Sequence, residues 1–260
     1  MDRLVLKKRL GQHHLRDTSL CRPLVDFLAP AGRLVVEIGA GGGVLTTALL
    51  DAQARVLAWE LDPAWALRVA QSLPVGRQLH IVCGDALELP WHRLPVGCSV
   101  AGNLPYNVAT PLIDRLLSHG GTVERAGVLV QLEVAERLVA EPGSKAYGAF
   151  SVLVQARAEA RLLARVRPGS FVPPPRVESA FVGLELRPWP GLEGRLPALR
   201  ELVYAAFGQR RKTLRNALAS RWPVPIAAAA IEASGLAPAV RAEQLAVVDF
   251  VELLDRLQSV

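Results

Sequence analysis

Cysteine is scarce in this sequence: Cys21, Cys83 and Cys98 are odd in number, widely spaced and never paired as CxxC. That excludes a disulfide framework and offers no zinc-ligand spacing, so the three are expected to be small core residues. Long apolar runs are missing too. No stretch reaches the roughly 18 uninterrupted apolar residues of a membrane span, and the basic opening MDRLVLKKRLGQHH has no apolar core of a secretion signal. A cytoplasmic protein is expected, with neither membrane nor metal among its partners. The glycine-rich segment 39–43 carries no P-loop lysine, which argues against a bound triphosphate, and there is no internal repeat or low-complexity tract.

What is present is a chain of 260 residues, 51% hydrophobic, enough for one sizeable α/β core and a small appendage. Its net charge of +6 suits a polyanionic partner, although 26 of the 30 basic residues are arginine, a bias that genomic base composition also produces. RLVVEIG (33–39), RVLAWE (55–60), LHIVCGD (79–85), CSVAGN (98–103) and AGVLVQLEV (126–134) read as buried strands, separated by helical patterns such as VLTTALLDA and TPLIDRLL. Such alternation predicts a mostly parallel α/β sheet, covered on both faces, with functional loops at the carboxyl ends of the strands. From Phe150, FSVLVQARAEARLLARV and SAFVGLELR, on either side of FVPPPRVES, read as two further strands that end the sheet in an antiparallel pair. A boundary at Pro188-Trp189-Pro190-Gly191 divides a domain of 1–187 from a small all-α domain of 188–260, in which LPALRELVYAAFGQRRKTLRNALAS is one helical stretch.

Gly39, Gly41, Gly42 and Gly43 lie between the first strand and its helix, where missing Cβ atoms let a ligand approach the backbone. Val44 stands where the dinucleotide fingerprint needs a small residue, which disfavours NAD without excluding it. Three acids follow the same layout. Glu37 precedes the glycines; Glu60 ends the second strand, where a carboxylate can accept both ribose hydroxyls; Asp85 ends the third, within reach of an adenine amino group. Together they outline an adenosine site, and without a phosphate-binding lysine a cationic sulfonium fits better than ATP. S-adenosylmethionine is therefore the expected cofactor. The competing structural account makes the glycines a tight turn and the acids helix caps, Asp62 before Pro63 being well placed for one.

AGNLPYNVATP (101–111) follows the fourth strand. An exocyclic adenine amine is a poor nucleophile because its lone pair is delocalised into the ring. Acceptors on its two N–H bonds, the Asn103 side-chain oxygen and the Leu104 carbonyl, would favour a pyramidal amine facing a sulfonium methyl. Pro105 would stiffen that backbone, and Tyr106 would stack on a base drawn out of its helix or loop. No strong general base is needed, since the cationic product amine is acidic. The plainer alternative is a turn with Tyr106 as a core aromatic.

In LKKRLGQHHL, EIGAGGGVLT, WELD, GDAL, NLPYNVATP, QLEVAERLVAEPGSKAYG, FVPPPRVESAFV and FGQRRKTLRNAL the chain resembles, over nearly its whole length, the ribosomal RNA adenine N6,N6-dimethyltransferases. These modify two neighbouring adenosines near the 3′ end of small-subunit rRNA. NLPY with PPPRVESA is shared with antibiotic-resistance rRNA methyltransferases, while YNVATP and FGQRRKTLRNAL favour the small-subunit branch. The resemblance implies a Rossmann-like class I S-adenosylmethionine-dependent methyltransferase fold. It places Gln12 and His13 near the methionine end of the cofactor, Gly39 and Gly41 along it, Glu60 at the ribose and Asp85 at the adenine. Leu15, Glu37, Leu61, Ala86 and Asn103 complete the expected cofactor set. Asn103, Leu104, Pro105 and Tyr106 would hold the target base and Phe171 would pack on its other side, although Phe171 ahead of Pro173-Pro174-Pro175 reads equally as a core anchor. Two departures stand out. The family usually has an aromatic where this chain has His14, so the N-terminal lid is expected to close differently, and a charged residue is more usual at Leu132, with no functional consequence expected.

Lys7, Lys8 and Arg9 precede that lid, and Arg210, Arg211, Lys212 and Arg215 fall within the long helical stretch. Such clusters neutralise phosphates, although a charge run also serves as a solvated face. The resemblance implies that the C-terminal helices dock a folded ribosomal substrate, recognised by shape, with the small subunit as partner and a monomer as the default state. Two alternatives remain: a ribosome-assembly or RNA-binding factor without catalysis, and a large-subunit rRNA methyltransferase of the resistance type.

Overall fold

A computed structural model describes residues 13–73, 78–106, 108–187, 189–209 and 211–259. Contacts divide the chain into two units, one of 1–135 and 159–187, the other of 136–158 and 188–260. The first is built on a seven-stranded sheet: β2 (Leu34–Ile38), β3 (Arg55–Glu60), β4 (Leu79–Cys83), β5 (Cys98–Asn103), β6 (Val123–Gln131), β7 (Ala158–Val166) and β9 (Ser179–Leu186), in the order β4-β3-β2-β5-β6-β9-β7. The ladders among β2 to β6 are parallel and β6–β9 is antiparallel. Strand order therefore reverses between β2 and β5, and in open α/β sheets the crevice above such a reversal, at the carboxyl ends of the strands, is where ligands bind.

Helices α1 (Arg22–Leu28), α2 (Val44–Asp51), α3 (Pro63–Ser72) and α4 (Ala109–Leu117) lie among these strands. The seat of α1 is explicit in the sequence: Gly127 of β6 faces Gly183 of β9, and a Cβ on either would collide with Leu24 or Phe27, at 2.6 and 2.8 Å. A pair of missing side chains thus lets the helix lie directly on the backbone. Asp62 caps α3, accepting from Ala64 N at 3.1 Å, the capping role foreseen for it. A second, two-stranded sheet pairs β1 (His14–Leu15) with β8 (Phe171–Val172), which ties the start of the described chain to the proline-rich loop.

The second unit is helical: α6 (Ala149–Gln155), α7 (Leu196–Phe207), α8 (Leu214–Leu218), α9 (Val224–Ala233) and α10 (Val247–Gln258) surround a core that includes Tyr147, Val152, Leu199, Leu202 and Phe250. Tyr147 donates its hydroxyl to Leu245 O at 2.7 Å inside that core. Four sequence expectations change here. The run from Phe150 begins as helix α6 and becomes strand only at Ala158, because a continuous apolar run serves a buried helix as well as a buried strand. Its side chains Val152, Leu153 and Ala156 pack with the C-terminal helices, so residues 136–158 group with that unit rather than with 1–187. The strand drawn as 126–134 runs from Val123 to Gln131 and gives way to α5 (Leu132–Leu138), and the long helical stretch breaks into α7 and α8 after Gly208.

Candidate active site

The chain leaves β2 through Gly39, whose N–H donates to Trp59 O at 2.8 Å, and turns over the strand reversal with Gly41 at φ +49°. Glu60, at the end of the neighbouring β3, holds this turn from below: Oε2 accepts from Gly41 N and Oε1 from Asp62 N, both at 2.8 Å. Burial pushes the Glu60 carboxyl up from its ordinary range, and these backbone donors oppose the shift. Each oxygen keeps a second lone pair for a ligand hydroxyl. At the end of β4, Asp85 Oδ1 accepts from Leu87 N at 2.9 Å, which sets the direction of its other oxygen.

On the far side of the reversal, Asn103 ends β5 with its Nδ2 donating to His13 O at 2.7 Å. Only the nitrogen of an amide can donate to a carbonyl, so this partner also decides which branch carries the oxygen. Leu104 is buried, with its N–H bonded to Leu129 O, and Pro105 O accepts from Val108 N. Tyr106 exchanges a 2.7 Å hydrogen bond with the buried Ser179 hydroxyl, and the His13 ring stacks on it at 5.4 Å between centroids. His13 Nδ1 meets Pro173 O at 2.8 Å. His14 lies on the glycine turn itself, its Nδ1 accepting from Gly42 N at 3.0 Å and its ring 4.4 Å from that of Trp65.

These groups line an open cleft with about 890 Å³ of empty space, the solvent at its mouth included. Of the sequence-predicted residues, His13, Gly39, Gly41, Glu60, Leu61, Asp85, Ala86, Asn103, Leu104, Pro105 and Tyr106 line it. Gln12, Lys7, Lys8, Arg9 and Arg210 lie outside the described residues. Leu15 and Phe171, expected at the cofactor and the base, are instead paired across β1–β8 and buried in the core of the sheet unit, an apolar destination that suits their side chains. Glu37 is also displaced from its expected role. Strand alternation turns it beneath the turn, fully buried, where it accepts from the Thr46 hydroxyl at 2.7 Å. Arg211, Lys212 and Arg215 are exposed on the second unit; the first two sit in the turn between α7 and α8 and Arg215 in α8, not in one helix.

The cavity also contains residues that pattern did not single out. Trp59 lies beside Gly84, where a Cβ would come within 3.0 Å of the indole Nε1, and that Nε1 is buried without a partner. Alternation from Glu60 hid it, since successive strand residues are expected on opposite faces. His14 was visible only as a departure from the expected aromatic.

Glu37 carries a testable consequence. Burial, with the Glu60 charge adding to it, raises its carboxyl to about 8. The folded protein then holds a proton that the unfolded chain releases above its ordinary value near 4.5, so stability is full below that value and falls as pH rises toward 8. Glu37→Gln keeps an acceptor for Thr46 and is expected to flatten the thermal-melting profile between pH 5 and about pH 8. An unchanged slope would mean that other groups govern this range.

Among the described residues, no lysine or arginine lines the cavity, while two carboxylates do. A positively charged nucleoside therefore fits better than a polyphosphate. Seated at the sheet's reversal point, this arrangement defines the protein as a class I S-adenosylmethionine-dependent methyltransferase. Comparison with known proteins agrees. The family model described as ribosomal RNA adenine dimethylase matches residues 3–259. The chain is 41% identical to ribosomal RNA small subunit methyltransferase A of Phenylobacterium zucineum, covering 96% of this chain and 87% of the relative. It is 42% identical to the protein of that name from Rubrobacter xylanophilus, over 96% and 95%. A dimethyladenosine transferase from Plasmodium falciparum shares its fold with a TM-score of 0.82 at 23% identity, over 95% and 98% of the two chains. The 23S rRNA methyltransferase ErmE superposes with a TM-score of 0.75 at 26% identity, over 94% and 99%. The chain belongs to the ribosomal RNA adenine dimethylase family.

Proposed function

We propose that this enzyme dimethylates the N6 amino groups of two adjacent adenosines near the 3′ end of small-subunit rRNA, using S-adenosylmethionine. The observation that carries the chemistry is the cavity itself, in which Glu60 and Asp85 lie on the cofactor side and Asn103 to Tyr106 on the other, with no lysine or arginine among the described residues that line it. When bound, S-adenosylmethionine supplies an electrophilic methyl on a sulfonium centre. Glu60 accepts the ribose hydroxyls, Asp85 accepts the adenine amino group, and Gly39 and Gly41 line the path between them. Asn103 Oδ1 and the Leu104 carbonyl accept the two N–H bonds of the target amine and orient its lone pair, while Pro105 limits movement of that carbonyl. Tyr106 offers its ring to the base, and the hydrogen bond to Ser179 keeps that ring in place. His13 covers Tyr106 in this structure and has to yield to a base stacking on the same face.

The small subunit is favoured over the large because the relatives at 41 and 42% identity carry small-subunit names. The second unit, with exposed Arg211, Lys212 and Arg215, docks the rRNA through its phosphates. A monomer acting in the cytoplasm and taking part in small-subunit biogenesis completes the proposal. Among the described residues, no helix is long and apolar enough to cross a membrane and no cluster of ligating side chains is arranged for a metal. The test is transfer of labelled methyl from S-adenosylmethionine to unmethylated small subunits, with large subunits, naked rRNA and duplex DNA in parallel. Label in dimethyladenosine of the small subunit supports the proposal; label confined to large subunits moves the target, and cofactor or subunit binding without label leaves an assembly factor. Asp85→Ala is expected to weaken S-adenosylmethionine binding about tenfold, the loss of one buried hydrogen bond. An unchanged dissociation constant would remove Asp85 from the adenine contact.

A further inference from the structure

We propose that His14 is a positioning residue for the cofactor: its neutral imidazole fastens the segment 13–15 onto the glycine turn, and cofactor affinity depends on that fastening. The proposal rests on the reading that the cavity binds S-adenosylmethionine.

The geometry assigns the protonation state. His14 Nδ1 faces the Gly42 N–H at 3.0 Å, so it must be an acceptor, and an imidazolium would set one N–H against another. His13 differs in this respect: its Nδ1 faces the Pro173 carbonyl and can donate in either protonation state. The His14 ring lies on the bare Cα of Gly41, where a Cβ would come within 2.6 Å of Cε1, and its other neighbour is the Trp65 indole. Glu60 holds the Gly41 amide, so two successive amides of one turn are each held by a side chain remote in sequence. The next links are Asn103 Nδ2 to His13 O and the pairing of His14 and Leu15 with Val172 and Phe171. Thus the segment 13–15 joins the glycine turn, the Asn103 loop and the proline-rich loop, and His14 is the join whose hydrogen bond a proton abolishes.

The charged surroundings support the same state. Burial, then His13, then Arg68, whose guanidinium lies over the Trp65 ring, lower His14 to about 4. Glu60 sits across the Gly41 amide with both oxygens engaged by backbone N–H groups; α2 brings no ionisable residue before Asp51, and β8 brings none. A solvent-exposed imidazole titrates near 6.5, so the fastened form has its full advantage above that value and loses it as pH falls toward 4, by about tenfold at pH 5.5.

The experiment is calorimetric titration of the full chain with S-adenosylmethionine at pH 8.0 and 5.5, for the wild type, His14→Phe and His14→Asn. Asparagine can accept from Gly42 N without titrating; phenylalanine keeps a ring against Trp65 but cannot accept. The cofactor's own titration is common to all three proteins. Expected is a wild-type dissociation constant that weakens at pH 5.5 by more than in either variant and by up to about tenfold, changes of less than about threefold in both variants, and affinity at pH 8.0 that His14→Asn retains better than His14→Phe. The same pH dependence in all three would overturn the proposal while leaving the cofactor assignment intact. Absence of wild-type binding at pH 8.0 would overturn both.

Discussion

Asn103→Ala is expected to slow methyl transfer by about 10²–10³-fold, the usual consequence of removing one preorganised polar group from a reacting centre, with a change in S-adenosylmethionine affinity of about threefold or less. The asymmetry follows from where the side chain stands. Asn103 ends β5 on the side of the reversal occupied by Leu104 and Tyr106, whereas Glu60 and Asp85 end strands on the other side. Its Nδ2 is committed to His13 O, so its oxygen is the group free to act on the target amine. Asn103→Asp separates these functions. It keeps acceptor oxygens but loses the donor to His13 and sets a negative charge against that carbonyl, so it is expected to recover less than about tenfold over alanine. Single-turnover transfer on small subunits measures both; wild-type rates in the alanine variant would remove the amide from the mechanism.

Glu60→Ala is expected to weaken S-adenosylmethionine binding by about 10- to 100-fold and to lower thermal stability in the absence of ligand. Two effects combine. The amides of Gly41 and Asp62 lose their partner, and a buried N–H left unsatisfied costs roughly 1–3 kcal/mol. The ribose hydroxyls lose a charged acceptor, worth roughly 1.5–3 kcal/mol. Melting without ligand reports the first effect and calorimetric titration reports the second. Glu60→Gln is expected to be intermediate, because an amide offers one oxygen and turns an NH₂ toward the remaining donor. If Glu60→Ala melted early but bound the cofactor as the wild type does, Glu60 would be a support for the turn and not a ribose ligand.

The adenosine side of the site was legible because strand ends and glycine turns are local features. Gly39, Gly41, Glu60 and Asp85 follow in order along the chain, and the fold brings them to one cavity. Glu37 was misplaced for a reason that residue type does not reveal: a glutamate beside a glycine turn looks like a ligand until strand alternation turns it toward Thr46. Phe171 had two readings, and the β1–β8 pairing places it in the core. Apolar residues in succession carry no period, so the run from Phe150 fits a strand as well as a helix, and only the surrounding helices make AFSVLVQ helical.

Local chemistry in the sequence by itself determined the α/β alternation, the glycine turn, the acids at successive strand ends and the Asn-Leu-Pro-Tyr segment, since each depends on residues within a few positions of one another. Tertiary structure decided which of these meet. Sheet order puts Gly39, just after β2, beside Asn103 of β5, with Gly39 Cα close enough that a Cβ would lie 3.8 Å from Asn103 O. It also decided that His14 lies on Gly41 and that residues 136–158 pack with the C-terminal helices. Those arrangements depend on strand pairing and shared apolar burial between segments far apart in the chain, which no local pattern encodes.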